Sequence, residues 1–233
     1  MLDSALFPAE ARWCYVTVDM SNPDLENFRH LHPLEQAVVS HSVRLRKAEF
    51  GDARWCAHRA LKELGLGNGL PVLRGDRGMP LWPDGVCGSL THTNGFRAAV
   101  VAPTWSVRSM GLDAEPAEPL PEGILGSIAR PGELPRLEKL ADAGIPAPDR
   151  LLFCAKEATY KAWFPMTHRW LGFEDAEIDL RLDGTFVSYL LVRPTPVPFI
   201  RGRWMIRNGY VIATTAVPAE GQEDNGPFHQ VLS

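Results

Sequence analysis

Lys156, Glu157 and Lys161 sit in one uninterrupted run, Phe153-Cys154-Ala155-Lys156-Glu157-Ala158-Thr159-Tyr160-Lys161-Ala162-Trp163. A carboxylate flanked by two ammonium groups suits work on an anionic substrate: the cations neutralise charge and the carboxylate can take a proton. Asp113-Ala114-Glu115 closes a strand-like run, and at the two-residue strand period both carboxylates point the same way. Two acids on one face repel unless a cation lies between them, and oxygen-only donors beside a phosphate suit Mg²⁺. By itself an Asp-x-Glu is more often a solvated strand end. Gly88-Ser89-Leu90-Thr91-His92 places small hydroxyls and an imidazole just before an Asn-Gly turn. They could hold a phosphate, or Ser89 and Thr91 could satisfy turn backbone and His92 be structural. Arg46 and Arg54 lie in a basic segment, and Arg74 and Arg77 bracket a Gly-Asp pair. Arginine forks match phosphate oxygens. A basic run is also what a solvated helix face looks like.

These residues need elements to hold them. Leu151, Leu152, Ala155, Ala158, Ala162 and Trp163 recur at helical spacing. That assigns Lys156, Glu157, Tyr160 and Lys161 to the other side, with Glu157 and Lys161 as surface neighbours four apart. Pro165 biases the chain out of the helix at Phe164. Residues 34–64 lack proline and read as helix, with a break near Gly51. Strands are expected over Trp13–Asp19, in pieces through 71–93, over Phe96–Ala102 and over Val107–Glu115, then near 176–180, 185–192, 200–207 and 210–216. Seven prolines break 116–150 into loop with short helices. Asn94-Gly95 and Asn208-Gly209 are hairpin signals, and the residues after each read alike. Either such hairpins recur by chance, or the chain holds two related α/β halves with a cleft between them.

The chain has 233 residues, 45% of them hydrophobic, enough for one large domain or two small ones. A net charge of −4 argues against wholesale attraction to nucleic acid or membrane. No apolar stretch approaches the roughly 20 residues that a spanning helix needs, and the N-terminus has no signal-peptide pattern. Cys14, Cys56, Cys87 and Cys154 show no metal or disulfide spacing and read as reduced thiols. A cytoplasmic protein is the expectation. P-loop, dinucleotide-fingerprint, nucleophile-elbow and kinase motifs are absent.

The order of the blocks is informative. Gly75-Asp76-Arg77-Gly78-Met79-Pro80-Leu81-Trp82-Pro83 is followed by Gly88-Ser89-Leu90-Thr91-His92, then Gly111-Leu112-Asp113-Ala114-Glu115, then the Lys156-Glu157-x-x-x-Lys161 run. Over residues 40–217 this resembles the 4′-phosphopantetheinyl transferase superfamily, of the surfactin and enterobactin type and most like its actinobacterial members. The metal pair sits in Gly-Leu-Asp-Ala-Glu where many members have Gly-Ile-Asp-Val-Glu, and both carboxylates are kept.

The resemblance implies an α/β (α+β) fold of two similar halves about a pseudo-two-fold axis. The halves would be residues 1–105 and 106–217, followed by a disordered tail over 218–233. It implies Mg²⁺-dependent transfer of 4′-phosphopantetheine from coenzyme A to a serine of an apo acyl or peptidyl carrier protein, leaving adenosine 3′,5′-bisphosphate. Mn²⁺ is the alternative ion. Fatty acid, polyketide and nonribosomal peptide carriers all stay open as acceptors, and the surfactin-type resemblance favours a broad range in secondary metabolism. Asp113, Glu115 and Glu157 would ligate the metal, with Glu157 open as base, metal ligand or both. Lys156 and Lys161 would neutralise phosphate, with Lys161 orienting Glu157. Arg46, Arg54, Arg74, Ser89 and His92, with Arg77 as helper, would contact coenzyme A. A monomer suffices, with no nucleic-acid or membrane partner. An acidic carrier would meet a basic surface, for which Arg169, Arg201, Arg203 and Arg207 are candidates. A non-catalytic coenzyme A module and a metal-dependent pyrophosphohydrolase are the competing functions.

Overall fold

The computed structural model describes residues 2–67 and 69–221. The chain runs through β1 (Arg12–Thr17), then helices α1 (Glu26–Arg29), α2 (Pro33–Val38) and α3 (Arg44–Glu63). Two short strands, β2 (Leu73–Arg74) and β3 (Pro80–Leu81), pair as a small hairpin. β4 (Val86–Thr93), β5 (Phe96–Pro103) and β6 (Val107–Pro116) follow, and then α4 (Leu125–Ile128), α5 (Leu134–Asp142) and α6 (Pro148–Thr167). The meander β7 (Ala176–Leu180), β8 (Thr185–Leu190), β9 (Phe199–Arg207) and β10 (Tyr210–Pro218) ends the described chain.

The mixed α/β expectation holds. One antiparallel sheet has the order β1-β5-β4 and the other β6-β10-β9-β8-β7. Each carries one 20-residue helix. α3 lays Cys56, Ala57, Ala60 and Leu61 against Ala99 and Val101 of β5. α6 lays Leu151, Ala155, Ala158, Ala162 and Trp163 against its own sheet. A third cluster, including Phe96, Ala98, Val100, Met110, Leu112 and Ile212, ties the two sheets together. β4 and β6 run beside each other in different sheets. Side-chain hydroxyls bridge them: Ser89 Oγ accepts the Leu112 N–H at 3.0 Å and Thr91 Oγ1 accepts that of Ala114 at 3.1 Å. The buried amide donors of β6 are thereby satisfied.

Both Asn-Gly turns close hairpins, β4 to β5 and β9 to β10. They are not the same turn. In the first only Gly95 is left-handed; in the second both Asn208 and Gly209 are. The two hairpins meet where the Tyr210 hydroxyl donates to the Asn94 carbonyl at 2.8 Å.

Several expectations need correction. The helical stretch over 34–64 is two helices, and the break falls between Val38 and Arg44, not at Gly51. Gly51 lies inside α3 because α1 crosses there: a Cβ at this position would stand 2.7 Å from the Phe28 backbone nitrogen. α6 also runs through Pro165 to Thr167. Near the end of a helix the proline removes a single ladder bond, and the buried Trp163 and Phe164 just before it hold that turn by packing. Pro218 ends β10, and residues 222–233 of the expected tail lie outside the described residues. Among the described residues no helix is long and apolar enough to cross a membrane. All four cysteines are free.

Candidate active site

A cleft of about 340 Å³ opens between α3 on one wall and α6 on the other. The β2–β3 hairpin and β4 complete it. It brings together residues scattered over more than half the chain. Arg46 and Arg54 come from α3, Arg74 and Arg77 from the small hairpin, Ser89 and His92 from β4, and Glu157 and Lys161 from α6. Its five arginine and lysine side chains face only Glu49 and Glu157, so the cleft favours an anion. The wall formed by Tyr160, Phe164 and Met79 is apolar.

The cations are held in place. Arg54 donates Nε to the Val72 carbonyl at 2.7 Å and lies over the Phe50 ring. Burial lowers its pKa to about 10, so it stays charged at neutral pH. Arg46 Nη1 meets His92 Nε2 at 3.0 Å. Crowding by protein, and then the Arg46 charge, push the imidazole down to about 4, so His92 is neutral. Ser89 lines the cleft, with its oxygen already accepting the Leu112 N–H. Arg77, left-handed at φ 51°, stacks over Trp170, which in turn packs on Tyr160.

Lys161 ties the seam. Its ammonium reaches Asp113 Oδ1 at 2.6 Å, the Leu112 carbonyl at 3.1 Å and the Leu90 carbonyl at 3.3 Å. One side chain of α6 thus clamps β4 and β6, and all three of its donors are engaged. Burial opposes its charge, but contact with Asp113 outweighs this and raises its pKa. Its direct partner is Asp113 and not Glu157, as the sequence had implied.

The three candidate metal carboxylates sense one another. Burial first, and then the Asp113 charge, push Glu115 up to about 7 and raise Glu157 as well. Arg150 offsets part of this, standing 3.7 Å from Glu115. Asp113 Oδ2 is buried with no hydrogen-bond partner. Among the described residues no three acidic, histidine or cysteine side chains are already gathered as a metal cage. An orphaned carboxylate oxygen beside two acids held above their usual range is nevertheless a donor set short of a cation, and its all-oxygen chemistry fits a hard divalent ion.

Lys156 does not join this site. Its ammonium pairs with Glu133 Oε2 at 3.0 Å and donates to the carbonyls of Phe173 at 2.6 Å and Ala176 at 2.9 Å. Both side chains of the pair are 2% exposed or less. At about 100° per residue, Lys156 lies about 140° around the helix from Lys161, whereas Glu157 lies only about 40° from it. Adjacency in sequence hid that separation. Reading the sequence also missed Glu49, half-buried in the cleft wall among basic neighbours, and Cys154, whose buried thiol is pushed up by burial and by the nearby Asp113. The arginines considered for a carrier surface are engaged locally. Arg169 donates to the Pro194 carbonyl, Arg207 pairs with Asp3, and Arg201 lies over Phe199. Burial lowers the pKa of Arg203, against the pull of Asp183.

Comparison with known proteins agrees with this arrangement. A model described as the 4′-phosphopantetheinyl transferase N-terminal domain matches residues 34–102, and one for the 4′-phosphopantetheinyl transferase superfamily matches residues 109–215. The chain is 47% identical over 190 residues to 4′-phosphopantetheinyl transferase PptT of Mycobacterium tuberculosis, covering 77% of this chain and 83% of that protein. It is 46% identical over 200 residues to 4′-phosphopantetheinyl transferase Svp of Streptomyces mobaraensis, covering 81% and 79%. It is 30% identical over 200 residues to enterobactin synthase component D of Salmonella typhi, covering 82% and 80%. Models that span both sheets, and relatives matched along most of their length, show that the chain belongs to the 4′-phosphopantetheinyl transferase superfamily.

Proposed function

We propose that this chain moves 4′-phosphopantetheine from coenzyme A to a serine hydroxyl of an apo acyl or peptidyl carrier protein, releasing adenosine 3′,5′-bisphosphate. The observation that carries the reading is the two-sided cleft. Coenzyme A is polyanionic at its nucleotide end and uncharged along its pantetheine arm. The cleft is cationic at Arg46, Arg54 and Arg74 and apolar at Tyr160 and Phe164. Tyr160 lines the cleft and its hydroxyl has no hydrogen-bond partner in the protein, so a small side-chain movement would offer it to an amide of that arm.

The serine oxygen attacks the β-phosphorus, a P–O bond forms, and the bond to the bridging oxygen of the pyrophosphate breaks. Glu157, held above the ordinary carboxylate range by burial and by Asp113, is the better proton acceptor for it and takes the serine proton directly or through water. Arg46, Arg54, Arg74 and Arg77 hold the nucleotide phosphates, and neutral His92 and the Ser89 hydroxyl orient them. Lys161 fixes Asp113 relative to Glu157 and lends its charge to the pyrophosphate. Asp113 and Glu115, with Glu157 as a third donor, would hold Mg²⁺ or Mn²⁺, which supplies charge neutralisation at the pyrophosphate. Lys156 has no part in this scheme. One chain supplies both walls of the cleft, which supports action as a monomer. The two sheet-and-helix units, meeting at residues 104–106, support a description as two related halves.

The deciding experiment is mass spectrometry of several apo carrier proteins incubated with the chain, coenzyme A and Mg²⁺. Each acceptor should gain one phosphopantetheine. No gain on any carrier would refute the transfer. Free phosphopantetheine appearing without a carrier would identify a pyrophosphohydrolase instead.

A further inference from the structure

The cleft holds an acid where its proposed ligand carries only negative charge. Glu49, on α3, lines the wall one helical turn from Arg46. Its two oxygens are divided between two guanidinium groups. Oε2 pairs with Arg46 Nη1 at 3.4 Å, and Oε1 pairs with Arg97 Nη2 at 3.5 Å. Arg97, on β5, is 1% exposed. It is anchored to the carbonyls of Phe96 and Thr93 in the β4–β5 hairpin and touches Met20 Sδ. A continuous chain of contacts therefore runs from the hairpin through Arg97, Glu49 and Arg46 to His92.

The last contact fixes a tautomer. A guanidinium only donates, so His92 Nε2 must accept from Arg46, and the ring proton must sit on Nδ1. A neutral His92 with a defined N–H direction is a directional phosphate donor. A freely turning imidazole is not.

We infer that Glu49 is a positioning residue for the coenzyme A site, holding Arg46 against His92 by tying it to the buried Arg97. This deepens the proposed function and rests on it for the identity of the ligand. Two effects of the acid oppose each other. Its charge repels phosphate and raises the His92 pKa, whereas its grip on Arg46 keeps that cation on the imidazole and lowers the pKa. Charge alone would make the acid a hindrance, so the sign of its removal discriminates.

The test is Glu49→Gln, with Glu49→Asp beside it, read in the ligand-free protein and then with coenzyme A alone. Histidine ¹⁵N NMR, assigned with a His92→Gln spectrum, reports the pKa and tautomer of His92. Calorimetry reports coenzyme A affinity. In Glu49→Gln, Arg46 should leave the ring. The His92 pKa should then rise, the Nε2–H tautomer should appear, and coenzyme A should bind about tenfold more weakly. Glu49→Asp keeps the charge but withdraws the carboxylate, and should shift affinity in the same direction. It also decides the matter if Glu49→Gln fails to fold. A lower His92 pKa with an unchanged tautomer, or unchanged or tighter coenzyme A binding in either variant, would overturn the inference. The NMR arm needs no carrier and no turnover, so it stands even if transfer fails. Absence of coenzyme A binding by the wild-type chain would count against the proposed function, not against the link between Glu49 and His92.

Discussion

Lys156→Ala separates the two roles that a lysine in this motif could have. In the structure its ammonium is buried against Glu133, and Glu133 in turn accepts the N–H groups of Arg130 at 2.7 Å and Ile178 at 2.6 Å. Those bonds pin the 130–133 turn and β7 to α6. Removing the ammonium strands a carboxylate that is 1% exposed. Breaking a buried pair on one side costs about 3–5 kcal/mol. For a chain of this size each kcal/mol moves Tm by about 2–4 °C, so a drop of about 6–20 °C is expected. Coenzyme A affinity, measured by calorimetry well below the lowered Tm, should change by less than about threefold. Lys156→Met with Glu133→Gln removes both charges while keeping an acceptor for one of the two N–H groups. It should recover a measurable part of the lost stability, because the uncompensated charge is gone. An unchanged Tm together with a large loss of coenzyme A affinity would refute the reasoning and return Lys156 to the phosphates.

Two further outcomes follow from the site. Glu115 and Glu157 have folded-state pKa values above their unfolded ones, so the folded chain holds more protons there. Their contribution to stability is full below the unfolded value and falls as pH rises through the folded one, about 7 for Glu115. On the proposed reading, a divalent ion would take the place of those protons. Mg²⁺ should therefore raise Tm more at about pH 8 than at about pH 5.5, and have little effect on Asp113→Asn. Equal increments at both pH values, or an undiminished one in the variant, would remove these residues from the metal site. Gly111→Ala tests the close approach of β6 and α6. The added Cβ would lie 1.8 Å from the Ala158 carbonyl oxygen and 2.6 Å from Thr215 Oγ1. Main chain must move apart, so a loss of at least about 3 kcal/mol in denaturant unfolding is expected, with activity falling as Asp113 shifts away from Lys161. A loss below about 1 kcal/mol would show that the two elements part easily.

What could be read from the sequence was whatever local periodicity decides. A period of two puts Asp113 and Glu115 on one side of a strand, and a spacing of four puts Glu157 beside Lys161 on a helix. Asn-Gly marks both hairpins, because glycine reaches the left-handed region without strain. What escaped depends on approach between distant elements. Gly51 looked like a break because nothing nearby says that Phe28 presses on it. Glu49 drew no notice beside Arg46 and Arg54 because its second partner, Arg97, lies almost fifty residues on. Lys156 is the sharpest case. The sequence places it next to Glu157, and a helix sends successive residues about 100° apart. Which of them faces the cleft is settled by where Ala155, Ala158 and Ala162 bury. That face lies against the second sheet and turns Glu157 and Lys161 to the seam. Lys156 is turned toward Glu133, beneath β7. The same rotation that turns a carboxylate and a clamp toward the cleft removes a lysine from it, so the motif describes one helix with two faces: an edge lining the cleft, and a buried ionic peg that ties it to Glu133 and the start of β7.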